Sequence, residues 1–192
     1  AERIGYPVVM KIVSPDILHK SDLGGIILNL TGAEAVAESY DRMLSSIAAK
    51  MPAARLEGVL IEASAPKGQE VIVGMRRDPN FGPLMMFGLG GIYVELLGDV
   101  SFRVAPLSAA DAREMIEKTR AFRLLTGFRG QAPADLDAVV ETILRLSQLA
   151  VDFPQIEEME INPLLVLSQG QGALALDGRV ILNDHISEEG NK

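Results

Sequence analysis

Short apolar runs closed by glycine or proline alternate, out of step, with three stretches of helical periodicity, and this irregular order constrains the fold more than any other feature of the chain. Val8–Val13, Ile26–Leu30, Gly58–Ala63 and Gln69–Met75 are rich in β-branched residues and read as strands. The apolar segment 84–87 leads into Gly88-Leu-Gly-Gly91 after a turn-rich link, Asp78–Pro83. Apolar residues at 3–4 spacing predict helices over 31–51, 108–120 and 135–151. Thr31-Gly-Ala-Glu34 and Ser108-Ala-Ala-Asp111 match the reciprocal side-chain caps that satisfy free N–H groups at a helix start. Beyond the third helix, residues 156–162, 164–167, 173–176 and 180–182 read as separate short strands, with Asp177-Gly178 as a hairpin turn. Runs of hairpins mixed with helices favour an α+β fold over a regular doubly wound sheet. The strand pattern lapses around Glu62–Gly68, the expected joint, which gives a smaller unit over 1–62 and a larger one over 63–192.

Composition narrows the chemistry. The 192 residues include no Cys and only two His, which excludes disulfides, thiolate metal sites and a cysteine nucleophile, and disfavours a multi-histidine zinc site. The formal charge of −8 argues against a general nucleic-acid binder. The charge is uneven: residues 133–192 hold 3 basic and 11 acidic groups, while 63–132 hold 9 basic and 7 acidic. That asymmetry fits a solvated acidic face, or basic and acidic groups flanking a phosphate–metal ligand. No apolar stretch approaches the roughly 18 residues of a membrane span, and no leader pattern is visible, so a cytoplasmic chain without membrane contact is expected. The abrupt apolar start suggests a piece of a longer protein.

The motifs point the same way. There is no G-x-x-x-x-G-K-[ST] loop, no H-E-x-x-H and no G-x-S-x-G, which leaves phosphate chemistry as the best remaining enzyme class. Lys11 is a cation inside an apolar strand, either snorkelling from a sheet edge or clamping a phosphate. His19 lies in Asp16–Gly25, a polar loop whose glycines suit an anion nest and whose imidazole could accept a phosphoryl group; an ordinary polar loop is the alternative. Gly90 and Gly91 could approach phosphates closely or make a plain turn. Arg103, on an expected strand, is a second phosphate candidate or a surface arginine. Glu160 and Asn162 fall on one side of a strand, with Asp177 about a hairpin later, and such oxygen donors suit Mg²⁺.

Taken together, GYPVVMKI, SPDILHKSDLGG, GQEVIVG, RDPNFGP, MFGLGGIYVE, TGFRG, EINPL and ALDGRV resemble, in order and over nearly the whole chain, the ATP-grasp domain of NDP-forming acyl-CoA synthetases. The resemblance implies two α/β subdomains with the nucleotide cleft between them and an incomplete N-terminal part. It implies that Lys11 contacts the α/β-phosphates, that the backbone of Glu62 and Ala63 meets the adenine edge, and that Glu70 lies near the ribose hydroxyls. Gly90 and Gly91 fall beside the phosphates, Asn162 and Asp177 match Mg²⁺ ligands with Glu160 nearby, and His19 matches a histidine that passes a phosphoryl group. ATP or ADP is the implied substrate. The implied partners are CoA-binding and ligase domains of the same protein or of another subunit. Two other classes compete: a non-catalytic ATP-grasp-like module fused to a lysine acetyltransferase, and a different ATP-grasp ligase.

Overall fold

The computed structural model describes residues 1–17, 20–90, 98–127, 130 and 132–183. It divides into two compact units, Ala1–Ala65 and Pro66–Lys192, with the division three residues beyond position 62.

The first unit is a three-stranded antiparallel sheet, ordered β2-β1-β3, with one long helix. Strands β1 (Val8–Val13), β2 (Ile26–Leu30) and β3 (Gly58–Ala63) follow the β-branched runs. In β1, Val8, Met10 and Ile12 are buried and join Met43 and Ile47 of helix α1 (Ala33–Lys50) in the core. Lys11 therefore falls on the opposite face of the strand. The expected Thr31–Glu34 cap does not form: α1 begins one residue later, with extended Gly32 as its N-cap and no side-chain cap. Thr31 thus lies outside the position from which a hydroxyl reaches the first free amides. Glu34 still sits in the first turn and Lys50 in the last, as the helix dipole favours.

The second unit is built on a six-stranded antiparallel sheet. Its strands are β4 (Gln69–Asp78), β5 (Gly82–Leu89), β6 (Val100–Val104), β7 (Ile156–Val166), β8 (Ala173–Ala175) and β9 (Gly178–Leu182). Strands β4 and β5 form a hairpin in which Asp78 Oδ1 accepts from the Asn80 and Phe81 amides at 2.8 and 3.0 Å. Helices α2 (Ala109–Glu117), α3 (Ala121–Leu125) and α4 (Leu136–Asp152) contribute to a single core. From the sheet, Val71, Val73, Met75, Met85, Phe87 and Met159 join Met115, Leu125 and Ile143. The alternate residues, among them Glu70, Gly74, Met86 and Glu160, belong to the other face of the sheet.

The reciprocal cap at Ser108 forms as expected: the Asp111 amide donates to Ser108 Oγ at 3.2 Å and the Ser108 amide to Asp111 Oδ2 at 3.0 Å. The Ser108 hydroxyl, which also donates to Asp111 Oδ2, lowers the Asp111 pKa most, and the Ser108 amide comes next. The helix stops at Glu117 rather than near 120, because Thr119 bonds back to the Ile116 carbonyl and the Arg120 amide donates to Asp99 Oδ2 at 2.7 Å.

Two strand expectations need correction. Residues 156–162 and 164–167 are not separate strands; Ile156–Val166 is one strand, with the cis Asn162–Pro163 bond inside it. A register shift against β4, between Val71 and Val73, absorbs the proline that cannot donate to the ladder. Nor is Asp177-Gly178 a hairpin turn. Strands β8 and β9 do not pair with each other; both lie along the same edge of β7, one opposite residues 164–166 and the other opposite 156–161. The two residues between them keep the ladder going, with the Leu176 amide donating to Pro163 O and the Asn162 amide to Asp177 O, both at 3.0 Å.

Helix α4 is tied down at both ends. Asp135, buried as its N-cap, accepts from the Ala138 amide at 3.2 Å and from the Gly172 amide at 2.8 Å, joining the helix to the β7–β8 loop. At the other end, Arg77 donates to the carbonyls of Ala150 at 2.7 Å and Ile156 at 3.0 Å, a cation against the negative end of the helix. The Gly172 amide first, then that of Ala138, holds the Asp135 carboxyl below the usual carboxylate range. A depressed folded-state pKa means stability that is present above the unfolded value and lost as pH falls through the folded one. Asp135→Asn is therefore expected to cost about 1 kcal/mol at pH 7. The gap to wild type should shrink as the pH drops below about 4. Urea unfolding of both proteins at pH 7 and pH 3 checks it, and a pH-independent gap would count against the carboxylate.

Candidate functional site

Lys11 and Glu62 come together within the first unit. Residues 8–13 pair with 58–63 in antiparallel register, placing Lys11 opposite Leu60 and Glu62 opposite Val9. The two charged residues share a face as diagonal neighbours, and Lys11 Nζ stands 2.5 Å from Glu62 Oε2. Lys11 is largely covered, its side chain 14% exposed, whereas Glu62 is 41% exposed. The Lys11 ammonium is thus neither a snorkelling surface charge nor an isolated buried one. The sequence pattern gave no sign of this partner, since its residue type and strand position are unremarkable until the register is known. Ala63 ends β3, and the following Ser64 amide donates to Pro7 O at 3.1 Å.

His19 and Gly91 lie outside the described residues. Around His19, the described part of the loop is anchored: Asp16 Oδ2 accepts from the Arg55 amide at 2.7 Å, and the Gly25 amide donates to Lys20 O at 2.7 Å.

In the second unit, Glu70 and Gly90 meet through the backbone, the Gly90 amide donating to Glu70 O at 3.1 Å. A Cβ on Gly90 would lie 2.8 Å from the Val71 backbone N and C and 2.9 Å from Glu70 C. The close approach that requires glycine here is therefore to the neighbouring strand. Glu70 also lines an open groove of about 530 Å³ at this end of the sheet, together with Lys67, Gly68, Ala134, Leu165 and Ser168.

Glu160, Asn162 and Asp177 converge on the junction of β7, β8 and β9. Glu160 is paired with Arg179, and the Asn162 amide donates to Asp177 O, which sets Asp177 opposite Asn162 two residues further along the same edge. Asp177 Oδ1 accepts from the Gly178 amide at 3.1 Å. Among the described residues no three His, Cys, Asp or Glu side chains form a metal cluster. The donor set here is instead two carboxylates and an amide, hard oxygens of the kind Mg²⁺ takes in small number while sharing its shell with phosphate and water.

Arg103 is not brought to this face. It pairs with Met85, which is wholly buried in the helix-side core, so its side chain belongs to that side of the sheet. There Arg103 Nη2 lies 3.0 Å from Glu114 Oε1 of α2. Lys118 first, then Arg103, holds the Glu114 carboxyl below its usual range. The strand signal alone could not tell which face Arg103 takes.

Two residues missed in the sequence carry the charge pattern around Glu160. Arg179 Nε is 3.3 Å from Glu160 Oε1, and Arg179 Nη2 makes a very short contact with Glu158 Oε1. Alternation along β7 could have put Glu158 beside Glu160, but placing Arg179 against both requires the β7–β9 register.

The ATP-grasp domain family model matches residues 1–182. The chain belongs to the ATP-grasp domain family. It is 48% identical over 186 residues to an ADP-forming acetate–CoA ligase I of Archaeoglobus fulgidus, covering 97% of this chain but only 27% of that protein. It is 49% identical over 179 residues to the β subunit of the ADP-forming acetate–CoA ligase I of Pyrococcus furiosus, covering 93% of this chain and 76% of the subunit. Among solved structures, the dinucleotide-forming acetyl-coenzyme A synthetase 1 of Ca. Korarchaeum cryptofilum, in complex with coenzyme A and Ca-AMPCP, superposes with a TM-score of 0.89. It is 46% identical, with 95% of this chain and 79% of that one covered. Another structure of the same synthetase holds Mg-AMPPCP, with its phosphohistidine segment pointing towards the nucleotide site. This ATP-grasp chain thus spans about a quarter of the single-chain ligase and about three quarters of the separate β subunit. No helix among its described residues is long and apolar enough to cross a membrane.

Proposed function

We propose that this ATP-grasp domain is the nucleotide-handling part of a longer, cytoplasmic ADP-forming acyl-CoA synthetase. It would move a phosphoryl group between ATP or ADP and a phosphohistidine. The observation that carries this reading is the likeness to ADP-forming acetate–CoA ligases along almost the whole chain. CoA-binding and ligase domains, on the same chain or on another subunit, would complete the protein. The adenine edge would meet the backbone of Glu62 and Ala63, Glu70 would hold the ribose hydroxyls, and Lys11 would neutralise the α/β-phosphates. The amides at Gly90 and Gly91 would lie along the phosphates. His19 would relay the phosphoryl group, the N–P bond breaking as a P–O bond forms on ADP. Asn162, Asp177 and Glu160 fit Mg²⁺ by their oxygen donors, and the bound ion would spread the charge of the transferring group. Most of the acceleration would come from positioning and charge neutralisation by these residues. Arg103, tied to Glu114 on the helix side, has no part in this scheme.

Calorimetric titration of the full-length protein with AMPPCP tests the site. Binding should strengthen with Mg²⁺, and Asp177→Ala should weaken the Mg²⁺-dependent binding about tenfold. Tight binding that ignores both Mg²⁺ and Asp177 would remove the proposed metal site.

A further inference from the structure

On the face of the second sheet turned away from its helices, the guanidinium of Arg179 is paired among three acids. Strand β7 presents Glu158, Glu160 and Asn162 in alternation; across from them along the edge run Ile181, Arg179 and Asp177. Arg179 contacts both Glu158 and Glu160, and all three side chains are half-buried, between 28% and 36% exposed. Its Nε atom is buried, yet the approach to Glu160 Oε1 at 3.3 Å does not have hydrogen-bond geometry. Arg179 therefore bonds well to Glu158 and only electrostatically to Glu160, the carboxylate nearer to Asn162 and Asp177. On the other side of Glu158, Arg76 of β4 is its register partner but is exposed, with no ion pair among the described residues.

This arrangement has a consequence for cations. Two carboxylates a strand alternation apart, beside a third on the adjoining strand, would attract a divalent ion on their own. A guanidinium held in that position competes for the same oxygens and adds a positive charge within a few ångströms. We propose that Arg179 is the resident counter-ion of the Glu158–Glu160 pair, which keeps a bare divalent cation off this face so that metal binds together with the nucleotide rather than ahead of it. The proposal rests on the reading of Asn162, Asp177 and Glu160 as the metal site. The phosphates of the nucleotide supply the negative charge that tips the competition toward the metal. The loose Glu160 contact lets that carboxylate turn to the ion while Arg179 stays on Glu158.

Mn²⁺ binding to the full-length protein, followed by electron paramagnetic resonance with and without AMPPCP, tests this. Removing the charge in Arg179→Gln should tighten Mn²⁺ binding about tenfold without nucleotide, and shrink the enhancement that AMPPCP gives by the same factor. Arg179→Lys, which keeps the charge, should stay near wild type, and Arg76→Gln should change neither number more than about twofold. If Arg179→Gln does not fold, Arg179→Met, which keeps the aliphatic stem without the charge, provides the second test and should tighten nucleotide-free Mn²⁺ binding by a similar factor. Unchanged or weaker nucleotide-free binding in folded Arg179→Gln would overturn the proposal while leaving the metal site standing. If instead Asn162→Ala and Asp177→Ala left Mn²⁺ binding with AMPPCP intact, the metal-site reading itself would fall, and this proposal with it.

Discussion

In the full-length protein, Lys11→Met is expected to lower nucleotide-dependent turnover by about 10²–10³-fold while leaving the fold in place. The size follows from the proposed role: a cation set against developing phosphate charge in a partly covered position would be worth far more than a surface charge. The intact fold follows from the geometry. Lys11 sits on the face of β1 opposite the core, Met matches its aliphatic stem, and the partner left behind, Glu62, is exposed enough to be solvated. The loss should appear in both kcat and the nucleotide KM, with urea unfolding close to wild type. Full turnover in Lys11→Met would end the assignment of Lys11 to the phosphates. Glu62→Gln separates orientation from charge: it removes the ion pair but keeps the ammonium.

Gly90→Ala is expected to destabilise the protein by about 3 kcal/mol, roughly two orders of magnitude in the folding equilibrium. The added methyl would lie 2.8 Å from main-chain atoms of Val71, and β4 cannot give way cheaply. That strand is hydrogen-bonded on both sides, to β5 and β7, and carries Val71, Val73 and Met75 into the core. Thermal and urea unfolding measure the effect. A stable Gly90→Ala protein that had lost only nucleotide binding would show that Gly90 serves the phosphates and not the sheet.

The outline of the fold was legible because its strands are short and its turns chemically explicit. Residues 8–13, 26–30 and 58–63 needed only β-branching and the glycines around them, and Ser108 and Asp111 announced their helix start unaided. One failure is local and two depend on a neighbour far away in sequence. Thr31 looked like a cap because local pattern cannot fix a helix start to one residue. Pro163 looked like a strand end because the register shift that accommodates it belongs to the pairing with β4. Asp177-Gly178 looked like a hairpin because its dipeptide suits one, although its neighbours both pair with β7.

The candidate site divides in the same way. Lys11, His19, Asn162 and Asp177 could be proposed because their motifs are local strings. Which face Arg103 takes, which acids Arg179 touches and which strand Gly90 crowds are set by register, to which a single sequence is nearly blind.

The shared edge of β7 makes chain length itself a functional variable. Only Leu176 and Asp177 separate β8 from β9, and both are hydrogen-bonded to the strand they cross. A single inserted residue there has no free loop to enter. It is taken up inside the ladder, either as an edge bulge that re-aims the side chains beside it or as a one-step slip of β9 that turns Arg179 to the opposite side of the sheet. At this junction the spacing between residues matters to the proposed metal site as much as their identity, and a deletion is expected to disturb it as much as the loss of one of its oxygen donors.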